Sequence, residues 1–182
     1  MSEEPAIERT IGRATIVLMT GDITKVPADA IVNAANSAFS FGGGVDGALR
    51  RAGGNELSGE MRRRYPMGIE TGTAVSTGAY DLPARWVIHA VGPVWNQGGQ
   101  EKLDLLASAY ASALREADTL GARTITMPAI SAGTFGFPID ATADVALRTV
   151  IAHLQRETGI ERVTFVLRGD ALEAFRRRLA TL

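Results

Sequence analysis

The chain has 182 residues, a size suited to one folded unit with a substantial core, and its 46% hydrophobic and 21% charged residues are ordinary for a soluble globular protein. It has no cysteine, which excludes disulfides, thiolate metal sites and a cysteine nucleophile, and with two histidines a dedicated transition-metal site is not expected. A net charge of −1 gives no broad attraction to a nucleic-acid backbone, and no run approaches the roughly 20 apolar residues of a membrane helix.

Residues 1–5 carry two glutamates and no apolar run, unlike a secretion signal, so a cytoplasmic location is expected, with residues 1–6 lacking fixed structure. Residues 14–19 (ATIVLM) and 29–33 (DAIVN) then read as strands, the second almost wholly apolar and so buried. Residues 44–52 read as a short helix opened by glycines. Residues 73–79 and 85–91 read as two strands parted by a Tyr80-Asp81-Leu82-Pro83 turn. Residues 95–100, rich in Gly, Gln and Asn, are expected to be loose. Leu103, Leu106, Ala107, Tyr110, Leu114 and Ala117 recur at helical spacing and predict a helix over about 101–120, ended by Gly121. A strand at 124–127 follows, then a helix beginning near Pro138 and reaching about Glu157. A strand at 163–167 and a helix striped by Leu172, Phe175, Leu179 and Leu182 complete the chain. The runs Arg62-Arg63-Arg64 and Arg176-Arg177-Arg178 read as solvated helix faces. Without repeats or a linker, one domain over 1–182 is expected. Apolar strands alternating with amphipathic helices predict an α/β fold, a largely parallel sheet covered on both faces in an α/β/α sandwich.

In such sheets ligands bind outside the carboxyl ends of the strands. Three polar or glycine-rich segments follow predicted strands: residues 20–24 (TGDIT), residues 33–36 (NAAN) with 42–47 (GGGVDG), and residues 131–137 (SAGTFGF). Two of them run into helix N-termini, where glycine lets backbone N–H groups approach an anion and the helix end adds partial positive charge. Two such loops at one edge could hold a pyrophosphate between them; either alone is as readily a flexible turn. Residues 42–47 also fit G-x-G-x-x-G, but a dinucleotide fingerprint should follow the first strand directly and precede its acidic partner. Here an asparagine-rich segment intervenes and Asp22 lies upstream, so the match is read as accidental.

Asp22 alone would be a turn cap, and Asn33 and Asn36 could satisfy backbone groups past a strand. Asp46 is the least expected residue, because a carboxylate beside a phosphate loop is unfavourable. It serves either as an early-helix carboxylate favoured by the dipole or as a partner for a hydroxyl or water. His89, within an apolar strand, reads as a hydrogen-bonded core histidine.

The segments GDIT (21–24), DAIVNAAN (29–36), GGGVDGALRRAGG (42–54), TGTAVSTGAYDLPARWVIHAVGP (71–93) and PAISAGTFGFP (128–138) together resemble the macrodomain family, in particular its MacroD-type hydrolase branch, over about residues 16–175. The resemblance implies a three-layer α/β/α sandwich around a mixed, mostly parallel six-stranded sheet, with ADP-ribose in a cleft. It implies that Asp22 accepts from the adenine amino group beside Ile23. It likewise implies that Gly43, Gly44 and Val45 form one diphosphate loop, and Ser131, Ala132, Gly133, Thr134 and Phe135 the other. Phe135 would pack on the distal ribose, Asn36 would bond its hydroxyls, and Asp46 would position or activate a water near the anomeric carbon. Arg168 stands where an aromatic residue often stacks on adenine, and a guanidinium can stack there too. Arg50 replaces a common histidine and Phe41 a fourth glycine. The implied activity is removal of ADP-ribose from acidic side chains, or deacetylation of O-acetyl-ADP-ribose, by a monomer with no metal or cofactor; a non-catalytic reader of ADP-ribosylated proteins is the alternative.

Overall fold

Strand β3 (Ala30–Ala35, AIVNAA) is buried along nearly its whole length, and a strand with no polar face needs cover on both sides. In the computed structural model, which describes residues 5–182, helices supply that cover on both faces of a seven-stranded sheet. The other strands are β1 (Ile7–Ile11), β2 (Ala14–Thr20), β4 (Ala74–Gly78), β5 (Trp86–Val91), β6 (Thr124–Met127) and β7 (Arg162–Leu167). Their spatial order is β1-β2-β7-β6-β3-β5-β4. The five central strands run parallel, and each edge strand is antiparallel to its neighbour. The sheet is therefore mixed and mostly parallel, as expected.

It has one strand more than the expected six. β1 alternates as strands do, but five residues with three polar ones give little signal; pairing with β2 across the turn at 12–13 fixes it. Of the segment 1–6, expected to lack structure, residues 1–4 lie outside the described residues.

One face carries α3 (Gln100–Leu120), α4 (Ile139–Leu154) and α5 (Ala171–Leu179), whose apolar stripes close on Leu18, Val32, Ile88 and Phe165. The other face carries α1 (Gly44–Gly53) and α2 (Asn55–Arg64), which bury Leu49 and Leu57 against Ile31 and Val87. α2 had no clear periodic signal, because only Leu57 and Met61 are buried among its charged residues. The segment at 95–100, expected to be loose, is turned back: Gly98 N donates to Trp95 O, and the Trp95 ring meets Phe137 edge-on at 4.5 Å. Among the described residues no helix is long and apolar enough to cross a membrane.

The topology makes a crevice. From β3 the chain crosses to β5 on one side, and from β6 it crosses to β7 on the other. The order thus reverses between β3 and β6, the place where doubly covered sheets bind ligands. The ladder between these strands holds only Ala30–Ile31 opposite Ile125–Thr126, so their carboxyl ends are free to part.

Candidate active site

A two-lobed cleft opens over those carboxyl ends. The first lobe, about 270 Å³, is lined by Asn36, Gly42, Gly43, Gly44, Val45 and Asp46 on one side and by Ser131, Gly133, Thr134 and Phe135 on the other. The second, about 260 Å³, is lined by Ile23, Gly44, Val45, Ala132, Gly133, Ile139, Val166 and Arg168, among others. Gly44, Val45, Ala129 and Gly133 line both and form the waist. A hollow beside the second lobe is lined by Asp22, Thr24, Gly44, Ala48, Arg51, Ala52 and Arg168. The cleft and hollow thus collect every site residue singled out from sequence, with Asp22 at the outer end and Asn36 and Asp46 at the inner one.

The waist is built to donate hydrogen bonds. Gly43 caps α1 without a side-chain bond and Gly44 opens it at φ +54, so the first N–H groups have no helical acceptor. The N–H groups of Gly43, Gly44 and Val45 make no hydrogen bond within the described residues, nor do those of Gly133, Thr134 and Phe135. The second loop is held by Ala132 N to Ala129 O, Gly136 N to Gly133 O and Phe137 N to Ser131 O. Ser131 lies in the left-handed region at φ +66, and its buried Oγ has no partner among the described residues. Such strain persists where surroundings over-determine it, commonly at functional sites.

At the inner end Asp46 sits in the first turn of α1, 3% exposed. Asn33 Nδ2 donates to its Oδ1 at 2.8 Å, and Gly42 N to its Oδ2 at 2.8 Å. Arg50 Nε lies 3.0 Å from Oδ2, in an ion pair whose side chains are both 4% exposed. Arg50 also donates to Phe39 O at 2.9 Å and lies 5.6 Å from the centre of the Phe41 ring. This pair answers the puzzle of a carboxylate beside an anion loop: the guanidinium offsets its charge. The spacing of 46 and 50, one helical turn, is the sequence signal that could have revealed it. The carboxylate offers about four lone-pair positions, so its three protein donors leave it little free capacity. Asn36 is similarly occupied: its amide closes a loop on Ser40, accepting from Ser40 N at 3.1 Å and donating to Ser40 O at 2.9 Å.

At the outer end Thr24 Oγ1 and N donate to Asp22 Oδ1 at 2.7 and 3.0 Å. These two bonds hold the Asp22 carboxyl below the usual carboxylate range, so it stays an acceptor. Arg168 is exposed beside it, at the mouth of the second lobe. Asn33, expected to bond backbone groups, instead bonds the side chains of Asp46 and His89. Among the described residues no group of three His, Cys, Asp or Glu side chains could hold a metal ion.

The model of the Macro domain family matches residues 32–146. The chain belongs to the macrodomain family. A macro domain-containing protein of Streptomyces coelicolor is 51% identical to it over 169 residues, covering 90% of this chain and 98% of that protein. An Escherichia fergusonii protein named O-acetyl-ADP-ribose deacetylase is 43% identical over 171 residues, covering 93% of this chain and 97% of its own. The solved structure of an Oceanobacillus iheyensis macrodomain with ADP superposes with a TM-score of 0.91 at 36% identity, covering 97% of this chain and 96% of that one.

Proposed function

We propose that the chain is one macrodomain that binds ADP-ribose and hydrolyses the ester bond at its terminal ribose. Its substrates are glutamate- or aspartate-linked ADP-ribose on proteins and O-acetyl-ADP-ribose. The observation that carries this reading is the two-lobed cleft whose waist presents six N–H groups that are unpaired among the described residues. A ligand suited to it has two bulky ends joined by an anionic bridge. Adenosine fills the second lobe, with Asp22 accepting from its amino group and Arg168 against its face. The diphosphate lies across the waist, taking N–H groups from both loops and the positive end of α1. The terminal ribose reaches Asn36, Asp46 and Phe135. The solved relative with ADP supports the binding half of this reading, and the relative named as a deacetylase supports the hydrolytic half.

In the reaction, the lone pair left on Asp46 orients a water against the ester. The water oxygen goes to the carbon of the bond that breaks, and its two hydrogens end on the released carboxyl group and the ribose hydroxyl. Proximity and orientation supply the acceleration, and the protein works as a monomer in the cytoplasm. Calorimetry with ADP-ribose and AMP tests the binding half, with much weaker AMP binding expected; equal affinities would remove the diphosphate cradle.

One observation favours a second reading, a non-catalytic reader of ADP-ribosylated proteins: the polar atoms of Asp46 and Asn36 are largely committed within the protein. Tight binding without turnover of either ester would support it.

A further inference from the structure

Behind Asp46 lies a buried polar chain that the proposed reaction does not use. Thr77 on β4, His89 on β5 and Asn33 on β3 are 1%, 0% and 1% exposed, and Asn33 and His89 are direct partners in register. The direction of each hydrogen bond follows from what its groups can give. Thr77 Oγ1 donates to Gly78 O at 3.0 Å, so toward His89 Nε2, 2.9 Å away, it can only accept. Nε2 therefore carries the imidazole proton and Nδ1 is an acceptor. Asn33 Nδ2 lies 3.1 Å from Nδ1 and 2.8 Å from Asp46 Oδ1, and gives one hydrogen to each. The reverse amide orientation would set its oxygen against the carboxylate and against the bare Nδ1.

This arrangement leaves Asn33 Oδ1 buried with no partner among the described residues, a destabilising feature that an apolar residue would avoid. Buried unsatisfied groups in a folded protein call for an explanation, and here the amide spends both hydrogens on Nδ1 and Asp46. Burial lowers the His89 pKa to about 3, against the opposing charge of Asp46, so the imidazole stays neutral at working pH. The Phe39 ring, 5.7 Å from the imidazole, packs against it.

We propose that His89 is a positioning residue for this site: through Asn33 it fixes the orientation of the Asp46 carboxylate toward the reacting bond. The inference rests on the hydrolytic reading of the inner lobe. Asp46 has two anchors on the α1 side, Gly42 N and Arg50, and one on the sheet side, Asn33. Without His89 the Asn33 amide is free to turn, and the carboxylate keeps only the α1-side anchors.

The test compares wild type, His89→Leu and His89→Gln by kcat, KM, ADP-ribose affinity and the ¹³C resonance of the Asp46 carboxyl. His89→Leu should lower kcat by up to about 100-fold, the scale of a misplaced reacting group, with KM and affinity nearly unchanged and the Asp46 resonance displaced. His89→Gln should recover much of both, since an amide can accept from Asn33 and donate to Thr77. If His89→Leu does not fold, the near-isosteric Thr77→Val carries the test, because removing the hydroxyl favours the other tautomer and breaks the Asn33 bond. Unchanged kcat, loss of affinity in step with kcat, or an unmoved Asp46 resonance overturns the proposal. A wild type that turns over neither ester defeats the hydrolytic reading instead, and the Asp46 resonance then decides the positioning role on its own.

Discussion

Gly44 lines both lobes and the outer hollow, so replacing it by alanine probes the waist directly. Its φ is +54, and an added Cβ would meet nothing within 4 Å among the described residues beyond its chain neighbours and the helix's own backbone. In the free protein the penalty is therefore only that of left-handed backbone, about 1–2 kcal/mol. At about 2–4 °C per kcal/mol for a domain of this size, Tm should fall by roughly 2–8 °C. Gly121 provides the control: it caps α3 at φ +72, also with nothing within 4 Å, and lines neither lobe. Gly121→Ala should lose comparable stability. With a ligand across the waist, Gly44→Ala alone adds a methyl group to the contact, where overpacking costs about 1–3 kcal/mol, or roughly 5- to 150-fold in affinity. Thermal unfolding and calorimetric titration with ADP-ribose on the three proteins read out both effects. Wild-type affinity in Gly44→Ala, or equal losses of affinity in both variants, would refute the waist as the diphosphate seat.

Asp46→Ala should lower stability by about 3–5 kcal/mol, because it strands the buried Arg50 guanidinium; Asp46→Asn should be milder and still lose about 10²- to 10⁴-fold in turnover with a smaller change in affinity, measured by ester hydrolysis beside urea unfolding. Arg168→Phe should bind ADP-ribose about as well as wild type, whereas Arg168→Ala should lose about 1–3 kcal/mol if the guanidinium stacks on the base; identical calorimetry for all three proteins would remove Arg168 from the adenine site. His89 should make stability pH-dependent. Its pKa is near 6.5 when unfolded and about 3 when folded, so between those values the unfolded chain binds the extra proton. Stability is then whole above about pH 6.5 and declines by up to about 1.4 kcal/mol per pH unit below it; urea unfolding of His89→Gln should show a shallower decline than wild type over pH 6.5 to 4.

The layers were legible because their physics is local. The run at 30–35, apolar apart from Asn33, demanded cover on both faces, and the stripe from Leu103 to Ala117 could only be a helix packed along one side. α2 escaped because two buried side chains in ten residues give no stripe, and β1 because its pairing with β2, not its composition, defines it. The glycine loops were legible for the same local reason: glycines running into helix starts leave N–H groups free. What sequence could not show is how the polar atoms of the inner lobe are shared. Asn33 and His89 are 56 positions apart, and only the β3–β5 register makes them neighbours. The charge of Asp46 is likewise explained only by the fold, in which Arg50, one turn further along α1, is folded in beside it rather than pointing to solvent.

The central claim is that Asp46 and its surroundings break an ester rather than merely hold a ligand. The most direct measurement is the release of free ADP-ribose from a glutamate-modified protein by the wild-type chain, followed with time at substoichiometric enzyme. Many turnovers per molecule are expected, with Asp46→Asn slowed by about 10²- to 10⁴-fold while still binding ADP-ribose. Tight binding with no release above the uncatalysed rate, or wild-type release by Asp46→Asn, would contradict it.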